Sequence, residues 1–326
     1  MKQKIDSFVL SIIVVILFAY FFPFLATDKS PISLDIIGSI GISLIFFFYG
    51  LKLSTEKIKN GLRNWKLHLF VQLSTFLLFP IIILLTRPLI QTDAANDWWL
   101  GFMFLAALPS TVSSSVVMVS LAKGNIPGAI FNASISGLIG IVITPLWMGM
   151  FVQGSQVDFD MGAIYIKLLL EILLPVVLGI SMQKYWGEFA KTYQRQLTLF
   201  DKSVILLIIY KSFGHSFEAK VFESIDVLTI LIIFILTFVL FYLIFFVTGF
   251  IAKSLNFSKE DQITAQFCGT KKSLVHGTVF SKILFPASFP LGILLLPLMI
   301  FHAIQIFIIS IIATRMAREN GIQNNK

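Results

Sequence analysis

Two polar stretches within otherwise apolar sequence decide the fold: LPSTVSSSVVM at residues 108–118 and QFCGTKKSLVHG at residues 266–277. Each lies near the middle of an apolar segment that is long enough to span a membrane. Pro109 in the first stretch cannot donate a backbone hydrogen bond, and Gly269 in the second tolerates unusual backbone dihedral angles. We therefore predict two discontinuous transmembrane helices, because open backbone inside a bilayer is tolerated only against protein or a water-filled cavity.

The composition is that of a membrane protein. Hydrophobic residues make up 57% of the 326 residues and charged residues 13%, against roughly 25% charged residues in soluble domains. The one cysteine excludes a disulfide framework, and the four scattered histidines, with no HExxH or CxxC motif, predict no metal cluster. The predicted fold class is all-α, a polytopic protein of the lipid bilayer with little loop for an independent domain.

Ten apolar segments are long enough to cross a bilayer, which requires roughly 20 residues at about 1.5 Å each. They lie at about 8–26, 32–52, 67–87, 98–122, 126–150, 162–184, 198–217, 226–252, 262–284 and 288–313. The first lacks a small-x-small cleavage site and is interpreted as a retained helix. The two polar stretches fall in the predicted spans four and nine.

The distribution of lysine and arginine predicts the orientation of these spans. With the amino terminus inside, 17 of the 25 basic residues fall on the cytoplasmic side, five fall outside and three lie within spans. We therefore expect an integral plasma (inner) membrane protein with both termini in the cytoplasm. The net charge of +8 is then a topology signal, and no nucleic-acid partner is expected. The sequence identifies no protein partner.

An offset of 159 residues aligns the two polar stretches with each other. The coinciding pairs are Thr111 with Thr270, Ser114 with Ser273, Val116 with Val275, Lys123 with Lys282 and Pro127 with Pro286. Five identities in 17 positions exceed the roughly one or two expected by chance. Because spans four and nine are an odd number of crossings apart, we predict two inverted five-helix repeats, 1–155 and 156–326. Transporters with this symmetry bind substrate and coupling ion where two interrupted helices meet.

Lys271 and Lys272 are the most unusual residues of the second stretch, because a charge inside the bilayer costs about 2.5 kcal/mol or more. If they instead snorkelled from a later helix, only twelve residues would remain from Ser273 to Leu284, too few for a span. Both lysines are therefore candidate binding residues. His276 lies four residues after Lys272, on the same face of a helix, although a packed core histidine is the commoner case.

Ten spans in two halves, the LAKGN motif at 121–125 and the CGTKKSLVHG motif resemble the bile acid:sodium symporter superfamily. More narrowly, the chain is similar to the branch of sodium-dependent transporters related to solute-carrier family ten, member seven. The resemblance covers nearly the whole chain. It implies crossing helices four and nine in a core domain at 67–150 and 226–313. It also implies a panel domain at 8–52 and 162–217 and an elevator-like or rocking exchange of access.

In that superfamily, polar residues of spans three, four and five and a Glu of span nine hold sodium. The matching positions for the first three spans are Gln72, Ser114, Ser115, Asn132 and Ser136. The Glu has no counterpart, since Gln266 is the nearest aligned residue and two lysines follow it. This departure counts against coupling to two sodium ions, because cations of this kind prefer oxygen ligands with net negative charge. Interhelical hydrogen bonding is the alternative role for the amides and for Ser136.

The predicted function is secondary active transport of a small organic anion, driven by a sodium or proton gradient. The alternative is a membrane regulatory or scaffold protein that keeps a transporter fold without sustained flux. No enzyme activity is expected, since the chain lacks an acid pair or a Ser-His constellation. The candidate substrate-binding and ion-binding residues are Gln72, Ser110, Thr111, Ser113, Ser114, Ser115, Asn132, Ser136, Gln266, Thr270, Lys271, Lys272, Ser273 and His276. Na+ at Ser114, Ser115, Asn132 and Ser136 is a candidate coupling ion, and no cofactor is expected.

Overall fold

The computed structural model describes residues 7–26, 33–53, 64–111, 113–152, 161–220, 222–223, 225–286 and 289–323. In these ranges every regular element is a helix and there is no β-strand, which confirms the all-α fold class. The chain termini and the predicted boundary between the repeats, at 155 and 156, lie outside the described residues.

The helices of the first half are α1 Ser7–Phe21, α2 Leu34–Lys52, α3 Trp65–Leu73, α4 Phe79–Leu84, α5 Asp93–Ala107, α6 Ser113–Leu121 and α7 Ile126–Val152. Those of the second half are α8 Met161–Leu168, α9 Leu174–Thr192, α10 Gln194–Glu218, α11 Val227–Ser254, α12 Lys259–Thr270, α13 Leu274–Leu284 and α14 Leu291–Gln323. The π-helical segments Ser74–Leu78 and Leu169–Leu173 join α3 to α4 and α8 to α9. Short 3-10 turns lie at Pro23–Ala26 and Arg87–Leu89.

Six helices within the described ranges are long and apolar enough to cross a membrane. They are Leu34–Lys52, Trp65–Leu89, Ile126–Phe151, Gly162–Thr192, Val227–Ser254 and Leu291–Ala317, and the apolar helix Leu10–Phe21 is shorter. The predicted spans four and nine are not among the six, because each is divided into two short helices. The count of ten spans therefore stays a prediction.

One compact unit of the structure comprises Met1–Ser54, Gly149–Val227 and Thr278–Leu295. Within it, α2 and α9 approach so closely that a Cβ added at Gly50 would overlap the backbone of α9, and one at Gly179 would overlap the backbone of α2. The Lys282 ammonium donates to the carbonyl oxygen of Asp35 over 2.7 Å, and Lys211 pairs with the Asp35 carboxylate.

The other compact unit comprises Thr55–Met148, Leu228–Gly277 and Leu296–Lys326, and it contains both polar stretches. The LAKGN motif ends α6 in a Schellman-type turn, in which Gly124 N donates to Val119 O over 2.8 Å and Lys123 takes a left-handed φ of 60°. Asn125 Nδ2 then donates to Asp261 Oδ1 over 2.7 Å, which ties the turn to the start of α12. Whether the two units act as core and panel stays a prediction.

Candidate functional site

The first polar stretch breaks the predicted span four. Helix α5 ends at Ala107, and Leu108 is extended, with a ψ of 152°. Pro109 explains this ending, because its ring disfavours helical geometry at the preceding residue and it has no N–H to donate. Helix α6 resumes at Ser113. The residues that follow Ala107 therefore leave the last carbonyl groups of α5 without helical partners.

The second polar stretch breaks the predicted span nine at its two lysines and Ser273, not at Gly269. Helix α12 continues to Thr270, and residues 271–273 form the break. The prediction that Gly269 opens the helix is therefore wrong, since this residue is still helical. Its missing side chain serves close packing instead, because an added Cβ would lie 3.2 Å from the Cβ of Ser74.

The two breaks contact each other within the same compact unit. Ser110 Oγ donates a hydrogen bond to the carbonyl oxygen of Cys268 over 2.7 Å. In the other direction, Ser273 N donates to the carbonyl oxygen of Pro109 over 2.9 Å. Each break thus satisfies a backbone group that the other exposes, and all four residues are buried.

Lys272 is the most completely bonded side chain of the site. Its Nζ donates to three backbone carbonyl oxygens, those of Thr75 over 2.7 Å, Ala106 over 2.6 Å and Leu108 over 2.8 Å. The Nζ also lies 4.2 Å from the centroid of the Phe79 ring. The side chain is fully buried, and charge-assisted hydrogen bonds of this kind contribute about 1.5–3 kcal/mol each. These contacts replace part of the hydration that the ammonium group loses on burial.

Gln305 was not among the predicted site residues, and it fixes the backbone of Lys272. Its Oε1 accepts from Lys272 N and its Nε2 donates to Lys272 O, both over 2.8 Å. Gln305 also contacts His302 Nδ1 over 2.9 Å, and both side chains are buried. The sequence held a signal for this site, because His302 and Gln305 are two polar residues three positions apart in the apolar last span.

Lys271 is also fully buried, but it has far fewer contacts than Lys272. Within the described residues, its Nζ makes one hydrogen bond, to the carbonyl oxygen of Ser114 over 2.8 Å. Ser114 lies in the first turn of α6, where the backbone amides carry partial positive charge. An ammonium group has three donors, so Lys271 can bind a further acceptor.

The hydroxyl groups of the first polar stretch form a small network of their own. Thr111 Oγ1 lies 2.8 Å from Ser115 Oγ and accepts from Ser114 Oγ over 3.0 Å. Ser110 N donates to Ser136 Oγ over 3.0 Å, which brings α7 to the break. The side chain of Ser113 lies outside the described residues.

The amides implied by the resemblance pair with each other beside α7. Gln72 Nε2 donates to Asn132 Oδ1 over 3.1 Å, and Asn132 Nδ2 donates to the carbonyl oxygen of Gly128 over 3.0 Å. Gln72 Oε1 is buried without a hydrogen-bond partner in the described part of the chain. Sodium binding at Ser114, Ser115, Asn132 and Ser136 stays a prediction, and these contacts equally fit interhelical hydrogen bonding.

Three candidates lie away from the lysine contacts. Gln266 Nε2 donates to the carbonyl oxygen of Phe245 over 2.8 Å and packs against α11. Thr270 Oγ1 donates to the carbonyl oxygen of Gln266 over 2.7 Å. His276 does not share a helical face with Lys272, because α13 begins only at Leu274, and its Nδ1 lies 2.9 Å from Ser273 Oγ.

The model of the SBF-like CPA transporter family matches residues 6–318. The chain belongs to this family. Relatives include YfeH of Escherichia coli K12, whose name proposes a symporter, at 36% identity over 97% of this chain and 94% of the relative. Sodium/bile acid cotransporter 7 of Danio rerio is 33% identical over 95% of this chain and 93% of its own length. The protein of the same name from Rattus norvegicus is 31% identical over 99% of this chain and 97% of its own length.

Membership of the SBF-like CPA transporter family confirms the resemblance to the bile acid:sodium symporters. Together with the apolar helices, it makes the chain an integral multi-pass membrane protein of the symporter type. Its relatives are named as transporters or symporters, so an enzyme is not expected.

Proposed function

We propose that the protein is a secondary active transporter that moves a small organic anion by alternating access. The observation that carries this proposal is the Lys271 ammonium, which is buried beside both helix breaks with one hydrogen bond among the described residues. A buried ammonium requires strongly polar or anionic partners. A carboxylate or sulfonate oxygen satisfies the two remaining donors and neutralises the charge.

One helix amino terminus supports an anion at this position. Lys271 bonds the carbonyl of Ser114 in the first turn of α6. The start of α6 carries partial positive charge, which favours a bound anion. The names of the vertebrate relatives support the same class of substrate, since those proteins are named for bile acids and sodium.

A sodium or proton gradient drives transport in this proposal. Sodium has candidate oxygen ligands in the hydroxyl and amide groups of Ser114, Ser115, Asn132 and Ser136, beside the first break. Ligand-induced stabilisation in sodium chloride, compared with potassium chloride, tests this part. Equal stabilisation in the two salts would favour protons as the coupling ion.

The proposed architecture is ten spans in two inverted repeats, 1–155 and 156–326, with a core and a panel domain. Both termini lie on the cytoplasmic side of the plasma membrane. In a variant without Cys268, a single cysteine at Gln194 should react with an impermeant thiol reagent from the cytoplasmic side only. One at Asn96 should react only from outside. Reaction of both from the same side would contradict the inverted arrangement.

The transport proposal is tested with the full chain reconstituted in sealed vesicles. A panel of carboxylates and sulfonates is screened by thermal shift, since a ligand that binds only the folded state raises apparent stability. Any stabilising anion is then tested for saturable uptake. Lys271→Met should abolish binding and uptake. Lys191→Met is the matched control, because this exposed lysine pairs with Glu188 on the surface. Binding without saturable flux in the unmodified protein would favour the regulatory or scaffold alternative.

A further inference from the structure

The Lys272 ammonium lies in a set of backbone oxygens that has the character of a cation site. The three carbonyl oxygens belong to Thr75 in a π-helical segment, Ala106 in the last turn of α5 and Leu108 just after it. We call these three oxygens the carbonyl cage. In transporters with discontinuous helices, freed carbonyls at half-helix carboxyl ends coordinate the transported cation.

The geometry matches the charged form of Lys272. Three acceptors at 2.6–2.8 Å correspond to the three N–H donors of an ammonium, whereas a neutral amine has only two. The Phe79 ring face and the carboxyl end of α5 add partial negative charge near this ammonium. No carboxylate of the described residues lies within ion-pair distance of this ammonium.

We infer that Lys272 is the resident cation of the carbonyl cage, a tethered ammonium that takes the place of a bound metal ion. It joins α5 and the π-helical segment to the second break, and Gln305 holds its backbone in register. A sodium ion that drives transport therefore binds outside this cage. The inference stands on the contacts of Lys272 and not on the proposed transport function, so either can fail without the other.

The first test compares the melting temperatures of the purified full-length Lys272→Met and Lys271→Met variants. Lys271 is the matched control because it is the neighbouring residue, equally buried, and has one hydrogen bond in the described part of the chain. Lys272→Met should lower the Tm by about 10 °C or more, because it leaves three buried carbonyls without donors. Lys271→Met should lower it by less than half as much. Equal losses in the two variants would overturn the inference.

The second test is chemical rescue of Lys272→Ala. The n-propylammonium ion supplies the three carbons and the ammonium that this variant lacks, and it should restore at least half of the lost Tm. Tetramethylammonium has the charge without N–H donors, and propan-1-ol has a donor without the charge, so neither should restore it. Lys271→Ala and the unmodified protein should not respond to n-propylammonium.

Failure of n-propylammonium to raise the Tm of Lys272→Ala would overturn the inference. An equal rise in Tm with propan-1-ol would also overturn the inference, because the rescue would then come from filling the cavity and not from the charge. If neither neutral variant folds while Lys271→Met does, purification of Lys272→Ala with n-propylammonium in every buffer decides. Folded protein recovered only with n-propylammonium would support the resident cation, and no recovery would refute it.

Discussion

The two helix breaks expose opposite kinds of group. The first is rich in acceptors, because the carbonyl oxygens of Ala106, Leu108 and Pro109 lie at or beyond the end of α5. The second supplies donors, namely the Lys272 ammonium and the backbone N–H of Ser273. Among the described residues, one hydrogen bond between the stretches runs the other way: Ser110 Oγ donates to Cys268 O over 2.7 Å.

This difference shows why the breaks occur together. A helix that ends in a low-dielectric region leaves carbonyls whose desolvation is unfavourable unless donors reach them. Serine and threonine hydroxyls can supply single donors, as Thr144 does for Ala107 O over 2.8 Å. A lysine supplies three from one atom. The second break can therefore be understood as the partner that makes the first one stable.

Charge reversal should have the largest effect. It should separate Lys272 from Lys271 by the amount of folded protein that is recovered. Lys272→Glu places a carboxylate against three carbonyl oxygens, and we expect a loss of about 5 kcal/mol or more, so that little folded protein is recovered. Lys271→Glu faces one carbonyl, so it should lose less stability and yield more folded protein, but it should lose anion binding. The recovered monodisperse fraction on gel filtration measures both. Equal recovery would show that the two lysines have equivalent surroundings.

Removal of Gln305 should have the next largest effect. Gln305→Leu leaves the N–H and the C=O of Lys272 buried without partners, for an expected loss of about 2–4 kcal/mol in the free energy of unfolding. Gln194→Leu, at an exposed position, is the control and should change little. Chemical unfolding in detergent measures the two values. A loss for Gln305→Leu below that of the control would show that the break holds its shape without this amide.

Both breaks could be located from the sequence because proline interrupts a helix and a charged residue is rare in the middle of an apolar span. Pro109 ends α5 as expected, whereas Gly269 remains helical and the break follows two residues later. Glycine is ambiguous because it permits either open backbone or close packing, and here it permits contact with Ser74. The sequence alone cannot choose between these two uses.

The partners of Lys272 could not be predicted, because most of them are backbone atoms. The carbonyl of Thr75 is freed because Phe79 N donates to Ser74 O and Pro80, the next residue, has no N–H, but neither fact says which side chain bonds it. The sequence also did not indicate which of the two lysines bonds the carbonyl cage, because the backbone of the break sets the directions of Lys271 and Lys272. Gln305 and His302, by contrast, were polar residues in an apolar span and could have been singled out.

A single hydroxyl donor should have a smaller effect than the amide of Gln305. Thr144→Val removes the donor to Ala107 O at nearly constant volume, and we expect a loss of about 1 kcal/mol. Thr314→Val is the matched control, because the Thr314 hydroxyl bonds the carbonyl of Ser310 within its own helix. Urea or heat unfolding of the two variants in the same detergent compares them. An equal change would mean that Ala107 O finds another donor.

The smallest expected effect contrasts Lys123 and Lys282, which coincide in the 159-residue alignment. Lys123 takes a φ of 60° at the end of α6, which strains lysine but not glycine. Glycine also gives the unfolded chain more freedom, which reduces the gain. Lys123→Gly should therefore stabilise the protein by about 0.5 kcal/mol. Lys282 lies within α13 and donates to Asp35 O and Ser39 Oγ. Lys282→Gly should therefore destabilise by about 1 kcal/mol from helix propensity alone. Opposite signs of the two Tm shifts would show that the matching lysines have separate roles in the two halves. A lower Tm in both variants would mean that the Lys123 side chain stabilises the protein by more than its backbone strain costs.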